Sequence, residues 1–355
     1  MVVSKPTKMV AMDLDQNLGL KSDDDRGSII EEIKGLIKLY KDGYVERSLK
    51  AMSCVSPFLA PDLQVNARDV FIDKITNIWA RVYVPKCNNQ DYTNSNNNNN
   101  KLPIIVYFHG GGFCVGSTAW KSYHNFLGNL ASKARCVIVS VNYRLAPEDP
   151  LPAAYEDGMK ALMWVKQQET MGQNSEFWAK YSDFSSIFLA GDSSGANLAY
   201  NVALKLGTSH NMPLIVKGII LVQPFFGGEE RTNSELIRVQ SCKSALSLAA
   251  NDTYWRLALP SGANRDHPWC NSLRKDTKKL ENMRVMVCIA EKDILRDRNL
   301  ELCTCLAKNV GNEVEYVISE GVGHGFQILD ESQFSQNRKK EMVSHIVEFV
   351  SKYTR

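Results

Sequence analysis

Ser193 stands between two glycines in the run G-D-S-S-G at 191–195, and its surroundings make it the first candidate for chemistry. A short apolar run, 186–190, precedes the motif, and the apolar residues of 196–204 behind it recur at helical spacing. A serine on a sharp turn from strand to helix exposes its hydroxyl at the edge of the sheet. The pattern therefore predicts a nucleophile at Ser193, whereas a chance match in a Gly/Ser loop is the alternative. The N–H of Ser194, at the start of the helix, is then predicted to face a developing oxyanion.

A second motif, H-G-G-G-F at 109–113, follows the apolar run 103–108, which has the pattern of a buried strand. Three consecutive glycines after a strand are costly in backbone entropy. Bare amides that approach a substrate oxygen closely would account for them, so Gly111 and Gly112 are predicted to form an oxyanion hole. A phosphate-binding loop is the competing interpretation, but the run lacks a G-K-[ST] ending and no helical pattern begins at the third glycine.

The acid and the base that such a serine needs are expected further along the chain, in that order. The apolar run 314–318 leads into a loop in which His324 lies between two glycines. Because the site of an open α/β sheet lies beyond the carboxyl ends of its strands, His324 is the favoured base. The other histidines are interpreted as surface or packed side chains: His109, His124, His210, His267 and His345.

The acid is expected after the strand-like run 284–290, which several carboxylates follow closely. Asp293 is favoured because it is nearer the end of this strand than Asp297. Asp297 lies between two arginines, where a solvated ion pair at the start of a helix is the ordinary explanation. Glu291 is the third choice, since the strand is expected to include it.

These motifs are joined by N-Y-R-L-A-P-E at 142–148, L-P-A-A-Y-E-D at 151–157 and D-H-P-W-C-N at 266–271. With them the sequence resembles plant carboxylesterases of the hormone-sensitive-lipase-like group of α/β-hydrolases, to which the gibberellin receptors are related. The resemblance implies a fold of class α/β, with a mostly parallel central sheet flanked by helices, an N-terminal lid segment and a helical cap insertion. It also implies a catalytic triad and three oxyanion-hole amides, supplied by Ser193, Asp293, His324, Gly111, Gly112 and Ser194.

The function that the resemblance implies is hydrolysis of carboxylic esters of small or medium-sized molecules through an acyl-enzyme on serine. Other members of the group act on one ester of a specialised pathway, for example an alkaloid ester, with decarboxylation, elimination or cyclisation following. That alternative stays open, because the choice depends on the shape of the pocket. A hormone receptor without turnover is disfavoured, because those receptors have lost the histidine that this chain keeps at 324.

The composition of the 355-residue chain is that of a globular enzyme, with 44% hydrophobic and 23% charged residues. A net charge of +3 is too small to indicate binding to nucleic acid or to a membrane, and no stretch approaches a transmembrane span. The first twenty residues lack an apolar core of signal-peptide length, and nine scattered cysteines favour reduced thiols. We therefore expect a cytoplasmic enzyme that acts on a small-molecule ester without a metal or other cofactor.

The chain is predicted to have three regions. Residues 1–27 are polar and acidic, which is typical of a mobile tail. Residues 28–68 form a lid segment by the resemblance, and its amphipathic start carries an apolar stripe of Ile29, Ile30, Ile33, Leu36 and Ile37. The core, 69–355, is interrupted by an Asn-rich stretch at 88–100, predicted to be an extended hairpin loop, and by a cap insertion at 227–282.

The cap insertion contains a helical pattern, 247–259, in which Tyr254 and Trp255 stand side by side. By the resemblance this helix forms part of the roof of the pocket, so one of the two rings is expected to touch the substrate. Packing in the core is the alternative for Trp255. The further candidates for an apolar pocket wall are Phe113, Tyr123 and Phe326.

Overall fold

The computed structural model describes residues 26–48, 53–86, 101–207, 216–237, 245–271, 277–280, 283–310 and 314–354. The strands in these ranges are β1 (Ile29–Ile33), β2 (Ile37–Tyr40), β3 (Val45–Arg47), β4 (Val65–Asp73), β5 (Ile78–Pro85), β6 (Leu102–Phe108), β7 (Val137–Asn142), β8 (Ser182–Asp192), β9 (Val216–Val222), β10 (Arg284–Ala290) and β11 (Val314–Ser319). The helices are α1 (Lys121–Ala134), α2 (Ala153–Thr170), α3 (Ser194–Leu206), α4 (Asn233–Ile237), α5 (Leu248–Ala258), α6 (Arg296–Val310), α7 (Phe326–Leu329) and α8 (Gln333–Thr354).

The central sheet has eight strands in the order β11-β10-β9-β8-β6-β7-β5-β4. Strands β6 to β11 run parallel to one another, and β5 is antiparallel to both of its neighbours. Residues of α1 and α8 pack on one face of the sheet, and residues of α2, α3 and α6 pack on the other. Strand β6 is therefore buried along its whole length and consists largely of Ile, Val, Leu and Phe, as expected of a strand covered on both sides. The predicted class, a mostly parallel α/β sheet flanked by helices, is confirmed.

The N-terminal region forms a separate antiparallel sheet of β1, β2 and β3, with Gly43 at positive φ in the turn that joins β2 to β3. The predicted apolar stripe is wrong in part, because Ile29 and Ile30 are 44% and 55% exposed. In a strand, successive side chains point to opposite faces, so a stripe at helical spacing does not form. Ile33 and Ile37 are buried, and Leu36 between the two strands faces the site described below.

One predicted boundary and one predicted loop type differ from the structure. Residues 65–68 belong to β4 of the central sheet and not to the N-terminal segment, while the predicted tail at 1–27 lies almost wholly outside the described residues. The Asn-rich stretch, 88–100, also lies outside them, but the strands on either side show that it does not close a hairpin. In the sheet β7 lies between β5 and β6, so these consecutive strands are not paired with each other.

Charged side chains fasten the N-terminal sheet to the rest of the molecule. Arg47 donates to both carboxylate oxygens of Glu148 at 2.6 Å and to the carbonyl of Cys114 at 2.7 Å. At the other end of the sheet, Arg256 of α5 donates to both carboxylate oxygens of Glu31 at 2.7 and 2.9 Å. The sheet is thus tied both to the loop after β6 and to the cap helix. No helix among the described residues is long and apolar enough to cross a membrane.

Candidate active site

Ser193 lies on the turn between β8 and α3 with a φ of 52°, a backbone conformation that is rare for residues other than glycine. Its N–H donates to the carbonyl of Val222 at 2.8 Å, and its carbonyl accepts from the N–H of Phe225 at 3.0 Å. A Cβ atom at Gly191 would lie 2.3 Å from the carbonyl oxygen of Gly195, and a Cβ at Gly195 would lie 2.0 Å from a carbonyl oxygen of β6. The turn therefore requires both glycines, and it presents the serine hydroxyl above the end of the sheet.

A chain of hydrogen bonds joins Ser193 to His324 and Asp293. The distance from Ser193 Oγ to His324 Nε2 is 2.9 Å, and that from His324 Nδ1 to Asp293 Oδ2 is 2.7 Å. Asp293 is fully buried, and its other oxygen accepts from the N–H of Leu295 at 3.0 Å. The carboxylate can only accept, so Nδ1 carries a proton and Nε2 is free to accept the proton of the serine hydroxyl.

Opposing effects act on the pKa of His324. Burial of the ring lowers the pKa, whereas the charge and the hydrogen bond of Asp293 and the charge of Asp192 raise it. The net result is a pKa above the usual value for histidine. The imidazolium that would form when His324 takes a proton is therefore favoured by the site, as a general base requires.

The loop after β6 brings two glycines with positive φ to the cavity beside Ser193. Gly111 and Gly112 have φ values of 123° and 60°. A Cβ at Gly111 would lie 2.0 Å from the carbonyl oxygen of Val115, and a Cβ at Gly112 would lie 2.3 Å from the ring of Tyr254. Both glycines line one cavity with Ser193 and His324. Ser194 is the first residue of α3, where the backbone N–H has no acceptor within the helix.

Asp192 lies inside the serine motif, and the motif alone does not indicate its role. Its carboxylate is buried and accepts from the hydroxyls of Tyr107 and Tyr123, each at 2.8 Å, and from the N–H of Gly110 at 3.1 Å. Burial raises the pKa of Asp192 to about 6, against the hydrogen bonds of the two tyrosines, which lower it. The carboxylate thus links the end of β8 to the first glycine of the loop after β6.

The cavity at Ser193 has a volume of about 80 Å³. Tyr123 and Tyr254 line it, as predicted. Its wall is otherwise mostly apolar, and contributions come from the N-terminal sheet, the loop after β6, the cap and α7: Leu36, Val115, Trp120, Phe225, Leu246 and Ile328.

The other aromatic candidates for the pocket wall do not reach the cavity. Trp255 is fully buried and stacks on Phe225 with ring centroids 4.5 Å apart, which makes core packing the correct interpretation. Adjacent residues of a helix point about 100° apart, so α5 turns Tyr254 to the cavity and Trp255 away from it. Phe113 packs against Phe225 and Trp255. Phe326, the first residue of α7, points into the core that α1 and α8 form with the sheet.

The two alternative acids are engaged elsewhere. Asp297, in the first turn of α6, accepts from the N–H of Ser234 in the cap at 2.7 Å. The predicted solvated ion pair is wrong, because the neighbouring Arg298 is buried and pairs with Glu235 at 3.2 Å. Glu291 follows the last residue of β10, contrary to prediction, and accepts from the N–H of Gly321 at 2.7 Å.

Among the remaining histidines, His109 and His124 are buried. His109 stacks on Tyr143 with centroids 4.4 Å apart, and burial lowers its pKa to about 4. His124 bonds to the hydroxyl of Tyr83, 3.1 Å from Nδ1. Both are packed side chains, as predicted; His210 lies outside the described residues.

Comparison with known proteins places the chain in a family. Residues 105–328 match the family model described as alpha/beta hydrolase fold, so the chain belongs to that family. It is 48% identical over 330 residues to "Probable carboxylesterase 6" of Arabidopsis thaliana, an alignment that covers 92% of this chain and 93% of the relative. It is also 38% identical over 289 residues to "Gibberellin receptor GID1A" of the same plant, covering 78% and 80%.

A solved structure shows the same architecture. The hyperthermophilic esterase from the archaeon Pyrobaculum calidifontis superposes with a TM-score of 0.64 at 28% sequence identity, covering 81% of this chain and 83% of the esterase. The relatives therefore include proteins named as esterases and one named as a receptor, and the chemistry of the site has to separate these two classes.

Proposed function

We propose that this chain is a serine carboxylesterase that hydrolyses small-molecule esters through an acyl-enzyme. The observation that carries the proposal is the unbroken chain of hydrogen bonds from Asp293 through His324 to Ser193, with distances of 2.7 and 2.9 Å. A protein that only binds a ligand has no need for a buried carboxylate and an oriented imidazole behind a serine hydroxyl.

In the proposed mechanism, His324 Nε2 takes the proton of Ser193 as Oγ attacks the ester carbonyl. Asp293 holds the ring in the required tautomer and stabilises the imidazolium. The oxyanion accepts hydrogen bonds from the amides of Gly111, Gly112 and Ser194, and each such donor contributes about 3 kcal/mol in the transition state. The leaving alcohol collects the proton from His324, and water repeats the sequence on the acyl-enzyme. No step in this sequence uses a metal or another cofactor.

The cavity favours a small and uncharged ester. Its volume of about 80 Å³ has room for only a few water-sized groups, and its wall among the described residues contains no lysine or arginine. A substrate carboxylate would find no lysine or arginine to pair with there and would lie near the acidic side chain of Asp192. We therefore propose a short acyl chain, such as acetyl. We also propose a cytoplasmic location, in keeping with the buried thiols of Cys114, Cys136, Cys270, Cys288 and Cys303, which form no disulfide.

The test is turnover of p-nitrophenyl acetate by the wild-type chain and by Ser193→Ala. The proposal requires turnover above background in the wild type and none in Ser193→Ala at equal folded fraction. An acyl series from acetate to octanoate then tests the size limit, and kcat/KM should fall with chain length. No turnover of any ester by a folded wild type would overturn the proposal and support a receptor.

A further inference from the structure

Val222, Gln223, Pro224 and Phe225 form the connector that leaves the end of β9 next to the candidate triad. Its backbone holds the nucleophile turn, since Ser193 donates to the carbonyl of Val222 and accepts from the N–H of Phe225. The connector also binds α6, the helix that follows Asp293, because Nδ2 of Asn299 in α6 donates to the carbonyl of Pro224 at 2.8 Å. A side chain of the connector makes its contact with the loop that carries His324.

That side chain is the amide of Gln223, which is 1% exposed. Its Oε1 accepts from the N–H of Gly325, the residue after His324, at 2.6 Å. Because a backbone N–H can only donate, the orientation of the amide is fixed, and Nε2 is left to donate to Oε1 of Gln327 in α7 at 3.0 Å. Gln223 itself is held by its own N–H, which donates to the carbonyl of Cys288 in β10 at 2.7 Å.

The backbone around this amide has little freedom. Gln223 has a φ of 48°, in the left-handed region, and Gly325 has a φ of 72°. A non-glycine residue persists in that region only where its surroundings hold it, and such positions cluster at functional sites. Gly325 is also the residue on which α7 begins, because its carbonyl accepts from the N–H groups of Ile328 and Leu329. The bond to Gln223 therefore fixes the point at which the histidine loop turns into α7.

The N–H of Ala245 in the cap donates to the carbonyl of His324 at 3.4 Å, and shorter bonds hold the histidine loop on the side of the acid and on the side of the nucleophile. On the side of the acid, the backbone N–H of Gly321 donates to the carboxylate of Glu291, and the backbone N–H of Lys292 donates to the carbonyl of Val322 at 2.8 Å. On the side of the nucleophile, the described residues provide the bond from Gly325 to Gln223. The bonds on the side of the acid keep the loop close to Asp293, and the bond to Gln223 keeps it at the connector that also holds Ser193.

We propose that Gln223 is a positioning residue that sets the distance between His324 and Ser193. It acts through the backbone of Gly325 and touches neither the substrate nor the reacting atoms. This inference rests on the proposed function. Its consequence is that loss of the amide loosens the contact between base and nucleophile and leaves the contact between His324 and Asp293 in place.

The test compares Gln223→Met with Gln168→Met. Methionine has a similar length but provides neither hydrogen bond. Gln168 is a matched control, since it is also a buried amide that accepts from a backbone N–H, that of Glu176 at 2.8 Å, and it contacts no part of the site. Both variants leave a backbone N–H without its side-chain acceptor, so both are expected to lower the melting temperature.

With p-nitrophenyl acetate at equal folded fraction, Gln223→Met should lower kcat on the order of 10²-fold, as a misplacement of about 1 Å does, with little change in KM. The rate of inactivation by a fluorophosphonate should fall in parallel. The midpoint of the acid limb of kcat/KM should stay where it is in the wild type, because the charge of Asp293 still acts on His324. Gln223→Glu, which keeps an acceptor for Gly325, should recover most of the rate.

The outcomes are distinguishable. A folded wild type without turnover would remove the proposed function on which the inference rests. A wild type that turns over, with Gln223→Met and Gln168→Met equally active per folded molecule, would overturn the inference alone. A lower kcat accompanied by a shifted acid limb would also overturn it, since that result would place the effect at Asp293.

Discussion

Replacement of Asp293 by asparagine should disable the site by moving the proton of the His324 ring from Nδ1 to Nε2. The hydrogen bonds of Asp293 explain why the proton moves in that direction. One oxygen of Asp293 accepts from the N–H of Leu295, a fixed backbone donor, at 3.0 Å. In Asp293→Asn the side-chain oxygen must stay on this N–H, so the NH₂ group points at His324 Nδ1, 2.7 Å away in the wild type. Nδ1 then has to accept, the proton moves to Nε2, and Nε2 donates to Ser193 when it should accept.

The expected loss of activity is large, because in the productive tautomer the Nδ1–H of His324 would face the NH₂ group of the asparagine, and both groups are donors in a buried site. A switch of this kind in a serine–histidine–aspartate arrangement costs on the order of 10⁴ in kcat, which corresponds to about 5.4 kcal/mol of activation free energy. The change in shape is minimal, so the fold should persist. KM should change little, because the carboxylate does not line the cavity.

The assay is the steady-state hydrolysis of p-nitrophenyl acetate, read at equal folded fraction as judged by thermal melting. Asp297→Asn is the control, since that carboxylate lies on Ser234 and contacts no triad residue. Its activity should remain close to that of the wild type. A loss of less than tenfold in Asp293→Asn, or a larger loss in Asp297→Asn, would refute the assignment of the acid.

Three other perturbations have defined outcomes. The acid limb of kcat/KM should be a one-proton transition with a midpoint above the ordinary histidine value of about 6.5, because only the neutral ring can act as base and the site raises the pKa of His324. A midpoint below that value would contradict the mechanism, and so would activity that is lost to EDTA and restored by zinc. Removal of residues 1–48 deletes β1 to β3 and takes Leu36 from the cavity wall, so it should change the relative activities over an ester series. Removal of 1–27 should leave those relative activities unchanged. Equal activities of the two truncated chains over the series would mean that the N-terminal sheet supports the fold but does not affect substrate choice. Deletion of 94–100, which contains no apolar residue, should alter the melting temperature and turnover little, because loop closure changes by about 0.6 kcal/mol per doubling of length; a large drop in melting temperature would show that the stretch packs on the core.

The residues of the candidate triad could be found from the sequence because each lies just after an apolar strand. The serine motif and the H-G-G-G-F run carry glycines that a close backbone approach requires, and such glycines are visible without a structure. Asp293 and His324 needed only chain order and nearness to a strand end. Local sequence patterns are sufficient here, because the parallel sheet brings the carboxyl ends of all its strands to one edge.

What could not be predicted depends on contacts between distant parts of the chain. Gln223 is an ordinary polar residue after a strand, and its role appears only when its amide is seen on Gly325. The sequence does not reveal the role of Asp192 for the same reason, since its tyrosine partners lie in β6 and α1.

The N-terminal region and the pocket wall show two further limits. A short apolar run such as 29–37 does not distinguish a strand from a helix, because too few periods are present to separate 2.0 from 3.6. Similarly, the residue type of Phe113 or Trp255 indicates burial but does not say whether the ring lies on the cavity or behind it.

The central claim, that Ser193 is the nucleophile of an acyl-enzyme, is tested most directly by covalent labelling. The folded chain should react with a fluorophosphonate probe, and peptide mass analysis should place the adduct on Ser193. Ser193→Ala should fold, because the turn accepts a smaller side chain, and should take up no probe. An adduct on another residue, above all on the neighbouring Ser194, or labelling that persists in Ser193→Ala, would contradict the account.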